Sequence, residues 1–266
     1  MARIEYKYLL PVAHIPDFRK EISPFVELDR YSSRMEDKKY HVRSIYFDTA
    51  LLDFYQDKIM GLKKRKKLRV RGYNKMNGSD LTFLEIKQKD GPGILKYRAA
   101  VKFKNLSALL HTQDIDKYVV PLNGFSDYKE QAHRFMADVI KLNLTPIIKI
   151  IYGREAYFYK FNHNVRLTID SDLCSSAQAE LETLFQEENL VYALPGQSIL
   201  EIKVFGEIPS WLRKIIGLFN LQLQALSKYT ICLEKNSNYQ IRLQRSLYGL
   251  SRYQQFKNFK IIENMD

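Results

Sequence analysis

The residues best suited to chemistry in this chain are charges set two apart, each pair separated by one apolar or aromatic residue. They are Glu5-Tyr6-Lys7, Arg69-Val70-Arg71, Glu85-Ile86-Lys87, Lys96-Tyr97-Arg98 and Glu201-Ile202-Lys203. Arg166, Thr168 and Asp170 carry the same parity, with Leu167 and Ile169 between them. Residues i and i+2 of a β-strand share a face, so each set projects charge from one side of its strand and an apolar side chain from the other. Arginine forks engage two phosphate oxygens at once, and lysine supplies a mobile point charge. A carboxylate among them offers a hard oxygen ligand to Mg²⁺ or Mn²⁺. Such a collection suits a polyanion.

Alternating charge is ordinarily the solvated face of a half-buried sheet, where Glu–Lys pairs across strands contribute little. Solvated faces mix in Thr, Ser and Gln, whereas these six sets draw almost wholly on Arg, Lys and Glu. One arrangement accounts for them all: a closed antiparallel β-barrel of about eight strands, its charged face turned inward as a tunnel and its apolar face packed outward against helices. Burying so many like charges is prohibitive without compensation, which an anionic ligand bound to a metal supplies.

The elements that must hold these residues are legible as short β-type runs: Arg3–Leu10, His41–Asp48, Lys67–Tyr73, Thr82–Gln88, Ile94–Phe103, Ile147–Arg154, Glu155–Phe161, Asn164–Asp170 and Ile199–Val204. Asn77-Gly78-Ser79 and Asp90-Gly91-Pro92-Gly93 supply hairpin turns. Ser126–Leu142 has the spacing of a packed helix, Pro209 sits at the start of a second, and a third begins near Ser227, which caps it. Strands throughout, with helices inserted and little βαβ rhythm, give an α+β class. A domain over residues 1–235 is followed by a polar tail, 236–266.

The chain has 266 residues, a net charge of +12 and 42 Lys+Arg against 30 Asp+Glu, which points to an acidic partner: nucleic acid, a phosphorylated small molecule, polyphosphate or an anionic membrane. Cys174 and Cys232, the two cysteines, have no ligand-like spacing, so neither a disulfide framework nor a zinc site is expected. The early charges argue against a signal peptide and no run spans a bilayer, so the expectation is a soluble, cytoplasmic protein. His14, His41, His111, His133 and His163 are scattered without ligand spacing.

An ordered set of motifs resembles the catalytic domain of the vacuolar transporter chaperone (VTC) family of polyphosphate polymerases, within the triphosphate tunnel metalloenzyme (CYTH) superfamily. The set runs through Arg3-Ile-Glu5-Tyr-Lys7-Tyr8, Arg43-Ser-Ile-Tyr-Phe-Asp48-Thr49, Gly61, Lys67-Leu-Arg69-Val-Arg71-Gly-Tyr73, Phe83-Leu-Glu85-Ile-Lys87 and Lys96-Tyr-Arg98. It continues through Pro146, Tyr152-Gly-Arg154-Glu-Ala156, Val165-Arg166-Leu-Thr-Ile-Asp170, Leu200-Glu201-Ile-Lys203, Pro209-Ser-Trp211-Leu212 and Ser227-Lys228-Tyr229. The wider superfamily often opens E-x-E-x-K; Arg3 stands at the first of those positions, which leaves one carboxylate fewer for metal. The length leaves no room for the family's frequent N-terminal helical domain or membrane segments, so the expectation is a stand-alone bacterial-type form.

The resemblance implies that Lys7, Arg69, Arg71, Lys87, Arg98, Arg154, Arg166, Lys203 and Lys228 grip the triphosphate, with Lys96 as a further member. Lys67 shares parity with Arg69 and Arg71, although the run Lys63-Lys64-Arg65-Lys66-Lys67 also fits a solvated hairpin or a nucleic-acid patch. Glu201 is the implied metal ligand for Mn²⁺ or Mg²⁺, with Glu5 and Glu85 as helpers or as neutralisers of neighbouring cations. Asp48 and Asp170 read as structural acceptors. Tyr46 and Tyr229 carry hydroxyls that can bond phosphate or a base, packing being the ordinary role of each. The implied activity is transfer of the ATP γ-phosphoryl group to inorganic phosphate or polyphosphate. A tunnel triphosphatase acting on ATP or tripolyphosphate and a non-catalytic polyphosphate-binding module are the alternatives. An enclosed lumen would exclude a nucleic-acid duplex.

Overall fold

The computed structural model describes residues 3–74, 81–91, 93–121, 127–237 and 239. Its strands are β1 (Arg3–Pro11), β2 (Val26–Leu28), β3 (Tyr40–Asp48), β4 (Lys64–Tyr73), β5 (Leu81–Asp90), β6 (Gly93–Lys102), β7 (Val119–Val120), β8 (Thr145–Tyr159), β9 (Val165–Ser176), β10 (Val191–Tyr192) and β11 (Gln197–Phe205). Its helices are α1 (Ile15–Ile22), α2 (Asp53–Ile59), α3 (Leu106–Thr112), α4 (Ile115–Tyr118), α5 (Tyr128–Lys141), α6 (Ser210–Leu218) and α7 (Lys228–Lys235). The strands make one antiparallel sheet in the order β1-β11-β9-β8-β3-β4-β5-β6-β7, with β2 on β8 and β10 on β9.

This sheet is not a closed barrel, which corrects the expectation of about eight strands joined edge to edge. Among the described residues β1 pairs with β11 and not with β6 or β7. Its other edge is met by irregular chain: Tyr8 bridges Leu223, and the Gln224 N–H donates to the Lys7 carbonyl at 2.9 Å. At the opposite end, among the described residues, the outer edge of β6 pairs only with the two-residue β7. Irregular backbone at Leu223 and Gln224 takes up part of the β1 edge that a strand–strand closure would have used. The sheet nevertheless curls far enough for its two halves to meet. Glu5 Oε2 on β1 lies 3.6 Å from Lys87 Nζ on β5, with β11, β9, β8, β3 and β4 between them in the sheet.

The curl follows from the alternation in sequence. Leu68 and Val70 of β4, Leu84 and Ile86 of β5 and Ala99 and Val101 of β6 turn to the convex side and pack on Phe135 and Met136 of α5. Leu167 and Ile169 of β9 and Ile202 and Val204 of β11 pack on Phe18 of α1 and Leu212 of α6. With helices covering the convex side, the alternate charged residues are left on the concave one. The two expected runs Ile147–Arg154 and Glu155–Phe161 are one long strand, β8. The helix expected over Ser126–Leu142 is α5; Pro209 is the N-cap residue of α6, and Ser227 accepts from the Thr230 N–H at the start of α7. One helix departs from the outside position expected of all: α7 reaches the concave side, where Tyr229 stacks on Tyr46 with ring centroids 5.2 Å apart. The turn at Asn77-Gly78-Ser79, Pro92 and most of the 236–266 tail lie outside the described residues.

Candidate functional site

Strand register sets the charged pairs side by side across the concave face. Glu5 pairs with Lys203 and Lys7 with Glu201 between β1 and β11; Lys203 pairs with Arg166 and Glu201 with Thr168 between β11 and β9. Arg154 pairs with Asp170 between β8 and β9. On the other half Tyr46 pairs with Arg69, Arg69 with Glu85, Lys67 with Lys87, Glu85 with Arg98 and Lys87 with Lys96. Every residue singled out on a strand by parity or resemblance therefore belongs to one continuous surface. Lys96 is its most exposed member, at the rim.

The carboxylates fall into three groups. Glu5 and Glu201 share their cations: Lys7 Nζ is 3.0 Å from Glu5 and 3.8 Å from Glu201, and Lys203 contacts both. Glu85 takes Arg69 at 2.7 Å, Arg98 at 3.0 Å and Arg71 at 3.7 Å. Asp170, fully buried, takes Arg154 at 2.6 Å and Lys228 Nζ at 2.5 Å. Arg166 reaches Asp29, which precedes β3, at 3.4 Å. The lysines and arginines outnumber these carboxylates, so the surface keeps an excess of positive charge facing inward. It is a site shaped for an anion.

The start of α7 completes the surface. Lys7 Nζ donates to the Leu226 carbonyl at 3.1 Å, and Lys67 Nζ donates to Ser227 Oγ at 2.7 Å. Tyr229 is buried and donates to Asp48 Oδ2 at 2.6 Å; Asp48 also accepts the N–H groups of Thr49, Phe54 and Tyr55. Asp48 and Tyr229 thus anchor α2 and α7. The Tyr46 hydroxyl accepts from Arg69 Nη1 at 2.9 Å and lies among the cations.

Burial and crowding displace the protonation equilibria. Burial pushes Glu85 up, but Arg69, Arg71 and Arg98 hold it down at about 2. Glu5 is likewise below the usual carboxylate range: burial opposes ionisation, and Lys7, Lys87 and Lys203 prevail. Burial brings Lys203 down to about 6 against the attraction of Glu5, with repulsion from Arg154, Lys87 and Arg166 adding to the fall. Lys67 is far below the ordinary lysine value through burial first and then repulsion from Lys7, Lys87 and Arg69. These are lysines awaiting a counter-charge.

Several participants escaped a search for charges alone. Tyr152 lies beneath Arg154 and Lys228, 5.3 and 4.7 Å from ring centroid to the cationic groups, and Phe83 beneath Arg98 at 4.0 Å. The Tyr73 hydroxyl accepts from Arg98 Nη2 at 2.9 Å, and Ser44 Oγ accepts from Arg71 Nε at 3.2 Å. Tyr152 and Tyr73 carry the same parity as Arg154 and Arg71, which was the available signal. Thr168, already in the alternating set with Arg166 and Asp170, is 2% exposed, pairs with Glu201 between β9 and β11, and its Oγ1 has no hydrogen-bond partner among the described residues. A buried hydroxyl without a partner is unfavourable by about 1–3 kcal/mol. Thr168→Val should therefore leave the ligand-free protein at least as stable as wild type, checked by urea unfolding; a loss above about 1 kcal/mol would show that the hydroxyl has a structural partner.

No group of three or more His, Cys, Asp and Glu side chains among the described residues is arranged to hold a metal. Mg²⁺ and Mn²⁺ are commonly held by one or two carboxylates plus phosphate oxygens and water. Glu201 and Glu5, brought together by Lys7 and Lys203, are the pair that fits; Glu85 is engaged by three arginines.

A model of the VTC domain family matches residues 2–236. A curated relative, vacuolar transporter chaperone complex subunit 4 of Trypanosoma cruzi (strain CL Brener), is 26% identical over 152 residues, covering 50% of this chain and 19% of its own length. The chain thus spans about a fifth of that relative. Among solved structures, the PH1819 protein of Pyrococcus horikoshii OT3 aligns at TM-score 0.46 and 16% identity, covering 88% of this chain and all of its own. A Hippeastrum protein, HpAC1, described with a dominant triphosphatase activity, aligns at TM-score 0.46 and 12% identity over 86% of this chain and 94% of its own. Both are distant likenesses. Among the described residues, no helix is long and apolar enough to cross a membrane.

Proposed function

Since the chain belongs to the VTC domain family, we propose that it is a metal-dependent polyphosphate polymerase, transferring the γ-phosphoryl group of ATP to inorganic phosphate or to the end of a polyphosphate chain. The single observation that carries this reading is the continuous inward surface of Arg69, Arg71, Lys87, Arg98, Arg154, Arg166, Lys203 and Lys228, bordered by the paired carboxylates Glu5 and Glu201. Guanidinium forks on facing strands clamp non-reacting phosphate oxygens, and Lys7, Lys67 and Lys203 neutralise the charge that accumulates during transfer. An oxygen of the acceptor phosphate attacks the γ-phosphorus; the bond from that phosphorus to the β,γ-bridging oxygen breaks, and ADP leaves. Glu201 and Glu5 would hold Mn²⁺ or Mg²⁺, which supplies Lewis-acid stabilisation of phosphate oxygens.

A second reading is hydrolysis of ATP or tripolyphosphate, which the same cationic surface would support if water took the place of the acceptor phosphate. The two are separated by incubating the protein with ATP and Mn²⁺ and resolving the products on a polyphosphate-stained gel. A ladder with ADP is the expected result. Free phosphate without a ladder would establish the triphosphatase, and no turnover with any divalent metal would leave a binding module.

The depressed pKa of Lys67 gives a pH signature. Burial and the neighbouring cations disfavour its charged form in the free protein, and a bound polyanion favours it, so binding shifts Lys67 towards protonation. Affinity for tripolyphosphate should be greatest at low pH and decline as pH rises from the free-state to the bound-state pKa of Lys67. Calorimetry in buffers of different ionisation enthalpy reads the uptake directly, and Lys67→Met should reduce it. Identical proton uptake in that variant would contradict the assignment.

A further inference from the structure

The site uses only the last residue of the basic run Lys63-Lys64-Arg65-Lys66-Lys67. The rest of the run leaves α2 and enters β4 in unusual company. Ile59, Met60 and Leu62 are exposed by 47%, 42% and 42%, and Leu51, just before α2, by 72%. Ile94 and Leu95, at the start of β6, are exposed by 42% and 51%. The two segments adjoin: the Gly91 N–H donates to the Lys63 carbonyl at 3.3 Å, and Lys64 pairs with Asp90 across β4 and β5. Lys66 is neutralised by Asp138, and Lys64 has Asp90 at 3.9 Å; Lys63 and Arg65 have no carboxylate within 4.0 Å among the described residues. One end of the sheet therefore presents aliphatic side chains interleaved with cations in excess of carboxylates: Lys58, Lys63, Lys64, Arg65 and Lys89 against Asp53, Asp57 and Asp90, with Arg65 near enough to Asp57 to stabilise its charge.

An ordinary solvated hairpin end does not gather large aliphatic side chains in this way, and gathered apolar exposure marks a binding surface. Nucleic acid is the poorer match. Its recognition without base pairing uses aromatic platforms, and the exposed members here are Leu, Ile and Met. Aliphatic side chains that enter the acyl boundary, flanked by lysines and arginines that meet lipid headgroups, are the pattern of a peripheral membrane contact. We propose that this end of the molecule docks on an anionic bilayer surface. The face adjoins the rim of the concave site, since Lys58 of α2 is close enough to Arg65, Lys7 and Lys89 to be repelled by each.

The test is sedimentation of the full chain with vesicles of phosphatidylcholine alone and of phosphatidylcholine mixed with phosphatidylglycerol, at low and high salt. Binding is expected to the anionic vesicles only and to weaken with salt. It should fall by at least about tenfold in Lys63→Glu/Lys64→Glu and comparably in Ile59→Ser/Met60→Ser/Leu62→Ser. Unchanged tripolyphosphate affinity in both variants, read by calorimetry, shows that each is folded. No binding to anionic vesicles, undiminished binding by the folded variants, or capture by single-stranded RNA in preference to the vesicles would overturn the proposal.

Discussion

Glu201→Gln should lose phosphoryl transfer by about 10²–10³-fold or more, while tripolyphosphate binding in metal-free buffer stays as tight as wild type or tightens. The two halves of this expectation have different causes. Glu201 is 7% exposed on β11, with Lys7 and Lys203 at its oxygens and Glu5 sharing both cations. Glutamine keeps the shape and loses the charge. In the metal-free protein this frees positive charge for the polyanion; with Mn²⁺ or Mg²⁺ it removes one of two carboxylates for which the arrangement offers no replacement among the described residues. Gel assay of ATP turnover and calorimetry with tripolyphosphate read the two halves separately. Undiminished turnover in Glu201→Gln would take the metal away from this residue, and weakened metal-free binding would mean that the carboxylate orders the lysines instead.

Glu85→Gln should be clearly destabilising in the ligand-free protein, by about 2–3 kcal/mol, because it leaves buried Arg71 and partly buried Arg69 and Arg98 without their shared carboxylate. Arg69, Arg71 and Arg98 all turn to this one carboxylate, which is held ionised well below the usual range. The loss should be largely restored by tripolyphosphate, which offers the same arginines another anion and stabilises whatever folded state it binds. The sign with pH follows. Glu85 is depressed to about 2 when folded, so its stabilisation is fully present above the unfolded carboxylate pKa and fades as pH falls towards 2. Thermal unfolding with and without tripolyphosphate tests this; a variant as stable as wild type without ligand would show that the arginines are neutralised in another way.

Much of the site was legible because side-chain alternation is a local property of extended backbone. Once Glu5 and Lys7, or Arg69 and Arg71, lie in a strand, they must share a face, and the apolar residue between them fixes which face is convex. The same reasoning reached Glu85, Lys87, Arg98, Glu201 and Lys203. It could not reach closure of the sheet, which depends on what the chain far away in sequence offers to the free edge of β1. That proved to be Leu223 and Gln224 in irregular conformation. Nor did it reach α7 on the concave side, where Tyr229 and Ser227 serve Asp48 and Lys67, since a helix pattern says which face is apolar and not which side of a sheet receives it. Asp29 escaped because its partner Arg166 is distant in sequence. Tyr152 and Tyr73 escaped although their parity was correct, because aromatic residues two places from arginine are also ordinary packing.

The missing ladder between β1 and the far edge has a mechanical consequence. A hydrogen-bonded hoop has a fixed circumference, whereas here, among the described residues, the two halves are linked by side chains: Glu5 with Lys87 directly, and Lys7 and Lys67 through Leu226 and Ser227 before α7. The ion pair loosens with ionic strength and yields to a competing anion. Glu5 and Lys87 thus form a contact across the concave face that any anion bound beside Lys87 would have to compete with.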